Sequence, residues 1–351
     1  MRYIAALDGL RAVAVALVVA YHAAHVPAGY LGVDIFFVLS GFLITSLLLA
    51  EQRRTGRVDI VNFYLRRALR LFPGLWLMIG VVLLYSWTVH LPSRFFFDAF
   101  ESTFPLLYVE NWRVIHQGPP GNIFQHTWSL SVEEQFYLVW AFVAALWLPR
   151  LPARRAAVAL TLFLLLACVW RVIVWEIDGS WIRVFCGTDT RADELIAGSL
   201  VAVLYSVDGI RAKMENSARV LSAVAIVSFV GLVLVACLAT AEQEAKLFGA
   251  QAFATAATAV IIVDLVCNRT GFLTALLSRR LLVYLGSISY GIYLWHDPLS
   301  WIAYEWGASP MARIMVIAGG GIILAAASHR YVESPALALK TKLPRSLAHV
   351  A

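Results

Sequence analysis

The sequence predicts an all-α, polytopic membrane protein, and three observations carry that reading. Its 351 residues are 61% hydrophobic and only 14% charged, where a soluble domain carries about 25% charged residues. Its mean hydropathy is +0.76. Its apolar residues fall in continuous Leu-, Ala- and Val-rich runs rather than alternating with polar ones. About 20 apolar residues cross about 30 Å of hydrocarbon as a helix. Lipid offers backbone amides no partner, so only helices or closed barrels span it, and continuous runs select helices.

Ten spans are expected, near 10–28, 31–50, 71–90, 127–148, 156–175, 190–207, 219–240, 248–267, 282–305 and 312–331. The third, fourth and ninth are the least regular. The long gap 91–126 is aromatic-rich and holds Pro92, Pro105, Pro119 and Pro120; it reads as an extracytoplasmic loop with interfacial pieces. Residues 1–11 do not read as a cleavable signal, because the first apolar run is long and the next span follows at once. No internal repeat stands out, so an inverted-repeat transporter gains no direct support.

Orientation follows from the Lys/Arg bias. With the N-terminus inside, twenty of the 28 Lys and Arg residues fall in cytoplasmic segments and six at or near the outer ends, with Arg11 and Arg191 at span ends. Both termini are therefore expected in the cytoplasm. The organisation reads as one membrane domain, 1–335, and a short basic tail, 336–351. The same bias accounts for the net charge of +6 and makes a nucleic-acid-binding domain a poor reading, as are a soluble enzyme and a disordered regulator. Cys168, Cys186, Cys237 and Cys267 are scattered with no paired spacing. Neither a disulfide framework nor a metal site is expected.

Ionisable residues within spans demand a reason. In the first span Asp8, Arg11 and His22 stand out. Arg11 and His22 are separated by about three full helical turns, so they share one face about 16.5 Å apart along the axis. Asp8 lies one turn before Arg11, placed to hold its guanidinium. The bland alternative has Arg11 snorkelling to the interface and His22 bonding a neighbouring helix. Arg67 and Arg70, three apart, form a two-pronged cation suited to phosphate, or simply mark the cytoplasmic side.

Three further constellations follow. In His126-Thr127-Trp128-Ser129-Leu130-Ser131-Val132-Glu133-Glu134-Gln135-Phe136-Tyr137, Ser131 and Glu134 read as a capping box, leaving Glu133 to hold a basic partner or orient a substrate. In Thr188-Asp189-Thr190-Arg191-Ala192-Asp193, Asp189 or Thr190 reads as a helix cap. Arg191 there opposes the helix dipole and is expected to pair with a carboxylate or a ligand. In the run 286–298, Ser289, Tyr293 and His296 share one helix face, although Tyr and Trp also serve as interfacial anchors.

Seven motifs in order now resemble the acyltransferase-3 family of integral-membrane acyltransferases. They are Leu7-Asp8-Gly9-Leu10-Arg11 with His22; Phe36-Phe37-Val38-Leu39-Ser40-Gly41-Phe42; Arg67 and Arg70 before Pro73; Trp128 to Tyr137; Thr188 to Asp193; Ser287 to His296; and Tyr331-Val332-Glu333-Ser334-Pro335. The resemblance covers residues 4–335. It implies transfer of an acyl group, often acetyl, from cytoplasmic acyl-CoA to a hydroxyl of a carbohydrate or similar acceptor. The location implied is the cytoplasmic membrane of a bacterial cell, amid membrane lipid. It implies His22 as general base, with an acyl-histidine intermediate as the alternative route, and Arg11, Arg67 and Arg70 as the acyl-CoA site. Asp8, Trp128, Glu133, Glu134, Tyr137, Asp189, Arg191, Tyr290 and His296 are second-rank pocket candidates. His25 is a decoy near the outer end. No permanent cofactor and no fused extracytoplasmic hydrolase-like domain are expected. The competing readings are a transporter or lipid-linked-glycan flippase with Arg11 and His22 in its path, and a non-catalytic membrane scaffold.

Overall fold

The computed structural model describes residues 3–90, 92–118, 122–147, 150–239 and 245–339. Every regular element among them is helical: α1 (Ala5–Ala24), α2 (Leu31–Thr55), α3 (Ile60–Val89), α4 (Pro92–Glu101), α5 (Thr103–Leu106), α6 (Glu110–Gln117), α7 (Trp128–Leu146), α8 (Ala153–Asp178), α9 (Trp181–Cys186), α10 (Ala192–Tyr205), α11 (Asp208–Asn216), α12 (Ala218–Leu238), α13 (Gln251–Cys267), α14 (Phe272–Leu277), α15 (Arg280–Ser287) and α16 (Ser289–Glu305). The last, α17 (Pro310–Ala338), runs through two π-helical stretches.

Among the described residues, seven helices are long and apolar enough to cross a membrane: α1, α2, α3, α8, α12, α13 (with the turn before it) and α17. An eighth is the pair α10–α11, bent by 94°. The other two expected spans fall on α7 and on the α15–α16 pair, which breaks at Ile288. The third helix starts earlier than expected. Asp59 caps it, accepting from the Asn62 N–H at 3.0 Å, and Pro73 is carried inside it. That N–H holds the half-buried Asp59 carboxyl below its usual range. The first helix stops at Ala24, where His25 takes the left-handed conformation and the Val26 N–H bonds the Ala20 carbonyl. The expected boundary at 335 lies inside α17; of the tail, residues 340–351 fall outside the described residues.

Close packing at small residues sets the core. A Cβ on Gly41 would overlap the Leu195 carbonyl, and one on Gly198 the Val38 carbonyl. Backbones of α2 and α10 therefore touch, the way small residues bring membrane helices together. Gly9 and Gly286 play the same part between α1 and α14–α15, against the carbonyls of Leu277 and Asp8. Polar bonds tie the same core: Trp140 donates to Thr45 at 2.8 Å, and Thr45 to Ser199 at 2.9 Å. Central and peripheral helices separate cleanly. The apolar window of α2 is 61% buried and that of α12 only 17%. The outward Val220, Val227, Leu234 and Leu238 of α12 are exposed, as lipid-facing residues are.

The gap 91–126, read as an extracytoplasmic loop with interfacial pieces, carries α4–α6 among its described residues and reaches further into the bundle than that reading implied. Tyr108 stacks on Phe72 with ring centroids 5.9 Å apart. Phe72 lies about 25 Å along the axis from the end of α3, at 1.5 Å per residue. The segment dips into the bundle, and several of its polar groups pair there. Arg113 pairs with Glu101 at 2.7 Å, and Asn122 donates to Glu101 and Glu110 at 2.7 and 2.9 Å. Irregular backbone is tolerated at depth only when buried in protein in this way.

Candidate active site

Two cavities open along α1. The first, about 570 Å³, surrounds its N-terminal half and is lined by Asp8, Arg11, Arg67, Arg70, Glu133, Glu134, Tyr137 and Tyr290, with Ser40, Ser129, Ser289 and Tyr108 among others. We refer to it as the arginine cavity. Its three arginines are held differently. Arg11 lies 3.7 Å from Asp8, which also accepts from the Tyr3 hydroxyl at 2.6 Å. Arg67 forms an ion pair with Glu134 and lies 3.8 Å above the Tyr137 ring. Arg70 has no ion-pair partner among the described residues. The cavity therefore presents one uncommitted guanidinium, a second loosely held one, and a third already neutralised.

This geometry reverses the expected roles of the two glutamates. The α7 helix starts at Trp128, so Ser131 lies inside it and cannot cap it. Ser131 instead donates to the Thr127 carbonyl at 3.2 Å and accepts from the Glu110 N–H at 3.2 Å. Glu134, read as the cap, holds the basic partner. Glu133 accepts from the Ser40 hydroxyl at 2.9 Å.

The second cavity, about 650 Å³, surrounds the C-terminal half of α1. Its walls are aromatic, with Tyr21, Tyr30, Trp128, Trp181, Phe185 and Trp301, and its ionisable lining is His22, His126, Asp297 and the Cys186 thiol, apart from tyrosines. No Lys or Arg is among the described residues that line it. We refer to it as the histidine cavity. His22 Nδ1 lies 3.0 Å from the Val18 carbonyl. A carbonyl only accepts, so Nδ1 carries the proton and Nε2 keeps its lone pair. Nε2 lies 3.7 Å from Asp297 Oδ1, while His126 Nδ1 lies 3.3 Å from Asp297 Oδ2. The His296 ring is 4.9 Å from that of His22.

Both cavities are lined by Val33 and Tyr293, which form the wall between them. The Tyr293 hydroxyl donates to the His126 carbonyl at 2.7 Å and so must accept from Ser129, 2.5 Å away. Arg11 and His22 thus open into different chambers from one face of one helix.

The remaining predicted residues divide. Trp128 lines the histidine cavity; Tyr290 lines the arginine cavity and donates to the Leu71 carbonyl at 2.7 Å. Asp189 and Arg191 line neither. Asp189 accepts from Arg183 at 2.6 and 2.8 Å and from Trp170 at 2.7 Å, and Thr190 donates to backbone carbonyls, so neither caps α10. Arg191 is fully buried beside Asp34 (3.3 Å) and Glu194 (3.0 Å). Arg171 extends that network to Asp193 at 2.5 Å, locking α2, α8 and α10 together. His25 stays exposed and pairs with Tyr304 at 3.1 Å. Sequence reasoning left Asp297, His126, Tyr293 and Ser129 out of the candidate list. The available hints were the helix face shared by Tyr293 and His296, the His126–Tyr137 run, and the adjacency of His296 and Asp297.

Fold and site together define a polytopic helical membrane protein with two chambers meeting at one tyrosine wall. The chain belongs to the acyltransferase-3 family: the family's model, described as an acyltransferase domain, matches residues 4–328. It is similar to YrhL of Bacillus subtilis, provisionally named a peptidoglycan O-acetyltransferase, with 37% identity over 95% of this chain and 55% of the relative. It is also similar to the peptidoglycan O-acetyltransferase OatA of Listeria monocytogenes, at 32% identity over 95% of this chain and 56% of the relative. The O-acetyltransferase OatA of Staphylococcus aureus is 30% identical over 95% of this chain and 57% of its own length. The chain thus spans about half the length of the curated relatives it matches. No solved structure matches it.

Proposed function

We propose that this chain transfers an acetyl group from acetyl-CoA, bound in the arginine cavity, to a carbohydrate hydroxyl bound in the histidine cavity. The observation that carries the reading is the shared wall: Val33 and Tyr293 line both chambers, so substrates entering from opposite ends meet there. The names of the similar O-acetyltransferases support acetyl as the group and a bacterial wall glycan as the acceptor class.

The arginine cavity suits a polyphosphate donor because Arg70 is uncommitted and Arg11 is held only at 3.7 Å. The basic bias of the sequence supports a cytoplasmic side for this chamber and both termini, in a topology of ten spans. Among the described residues the histidine cavity has no Lys or Arg lining, which suits a neutral sugar. In the reaction, His22 Nε2 takes the proton of the acceptor hydroxyl as that oxygen attacks the thioester carbonyl. Asp297, 3.7 Å from Nε2, stabilises the imidazolium that forms. The Tyr293 and Ser129 hydroxyls, bonded to the His126 carbonyl and to each other, fix the wall at which the thioester is presented. The tetrahedral intermediate collapses, the C–S bond breaks, and CoA leaves as thiolate, taking up the proton from the imidazolium.

The test uses purified protein in detergent, acetyl-CoA labelled in the acetyl group, and solubilised glycan acceptors. Label is expected on the glycan in an alkali-labile ester with release of free CoA. Transport of glycan or lipid without CoA release contradicts the reading.

A further inference from the structure

We propose that His22, His296 and Asp297 form a zinc-type divalent metal site beside the histidine cavity. One ligand atom from each lies within 4.8 Å of the other two. Some point is then no more than about 2.8 Å from all three, and side-chain rotations of under about 1 Å bring them to the 2.0–2.2 Å of zinc bonds.

Three independent features point to a ligand there. Both histidines have their Nδ1 proton fixed by a backbone carbonyl, His22 by Val18 at 3.0 Å and His296 by Tyr293 at 2.6 Å. Each Nε2 is therefore a free lone pair, the arrangement that metal-binding histidines use to fix tautomer and ring orientation. His296 is fully buried and its Nε2 has no hydrogen-bond partner among the described residues; such a group calls for an explanation. The other oxygen of Asp297 lies 3.3 Å from His126 Nδ1, an ion-pair contact on the side away from His22. Two imidazoles and one carboxylate select zinc over magnesium or calcium, which prefer all-oxygen sets. The adjoining cavity leaves room for a fourth, exchangeable ligand.

The site has a consequence that rests on the proposed function. A metal on His22 Nε2 occupies the lone pair that takes the acceptor proton, so zinc entering from the acceptor side blocks transfer reversibly.

The experiment is zinc titration of untagged, chelator-treated full-length protein by calorimetry, with magnesium as comparison. One zinc per chain and no magnesium binding are expected. His296→Ala and His296→Asn should each lower zinc affinity at least ~100-fold, while His25→Ala and Cys186→Ala leave it unchanged. Cobalt substituted into the wild-type protein gives a readout that needs no variant: visible bands without a strong near-ultraviolet thiolate band. Absence of zinc binding, unchanged affinity in folded His296 variants, or a thiolate band each overturns the site. Activity separates the two claims. Inhibition relieved by chelator supports both; zinc that binds in the His296-dependent manner yet leaves transfer untouched overturns the base role of His22 and the blockade, not the site.

Discussion

The arginine cavity and the histidine cavity share a wall and differ in nearly everything else. The first gathers Arg11, Arg67 and Arg70 against Asp8, Glu133 and Glu134; the second is walled by aromatic rings and has no cationic side chain among its described lining. The first resembles a phosphate site in which part of the charge has been balanced internally. The second resembles a site for an uncharged ligand with a proton acceptor at its side. One helix, α1, supplies the key residue to each. The difference teaches that a single span can face two unlike chambers when its polar residues are spaced by whole turns and a wall from other helices stands between them.

Removing one chamber's chemistry should leave the other's intact, and the largest such effect is at His22. His22→Ala should lower the transfer rate by about 10²–10⁴-fold, the range for a general base, with acetyl-CoA affinity measured by calorimetry unchanged. A loss under ~10-fold in folded protein breaks the assignment on the same scale.

Next is the arginine chamber. Arg70→Ala should weaken CoA affinity by about 10–100-fold, from the loss of 1.5–3 kcal/mol in charge-assisted bonds. Arg70→Lys should recover only part, because an ammonium lacks the planar fork. Arg67→Ala should behave differently: it strips the half-buried Glu134 of its partner and lowers stability by about 1–3 kcal/mol, the scale for leaving one member of a charged hydrogen bond unpaired. Thermal unfolding distinguishes the two arginines; equal stability loss in both variants contradicts the division.

The glutamates sharpen the same point. Glu134→Gln should lower stability more than Glu133→Gln, because Gln keeps an oxygen for the Ser40 hydroxyl but loses the charge that faces Arg67. Matched thermal melts ranking them the other way would contradict the stabilising role of the Arg67–Glu134 pair.

The smallest effect is at the start of α3, which carries Arg67 and Arg70. Asp59→Ala should lower stability by about 1 kcal/mol through loss of the cap. The Asn62 N–H holds the Asp59 carboxyl below its usual range. Its contribution is therefore full above about pH 4, near the ordinary carboxylate pKa, and fades as pH falls through the lowered value. Asp59→Asn should retain the cap and remove the pH dependence, as melts at pH 3 and pH 7 would read.

Much of this was legible in the sequence where the signal is local. Span positions follow from apolar runs, and the shared face of Arg11 and His22 follows from helical period alone. The chamber contents were not legible where they depend on long-range packing. His126, Asp297 and His22 come from three distant segments, and no periodicity brings them together. The capping box misled because Ser131 and Glu134 have the spacing of any two residues one turn apart inside a helix. The single turn Gln125–Thr127 ahead of α7 started the helix early and moved both residues inward. The depth of the segment 91–126 was not legible because its aromatic and proline-rich composition suits an interfacial loop; the buried pairing of Arg113 and Asn122 with Glu101 depends on packing.

The central claim is that two substrates meet at the Tyr293 wall from opposite sides of the membrane. Its most direct test is a sidedness assay in oriented proteoliposomes, with the termini located by protease and labelled acetyl-CoA supplied on one face only. The account predicts acetylated glycan only when acetyl-CoA is on the side of the termini and the acceptor is on the other. Product formed only when both substrates are on the same side would contradict it.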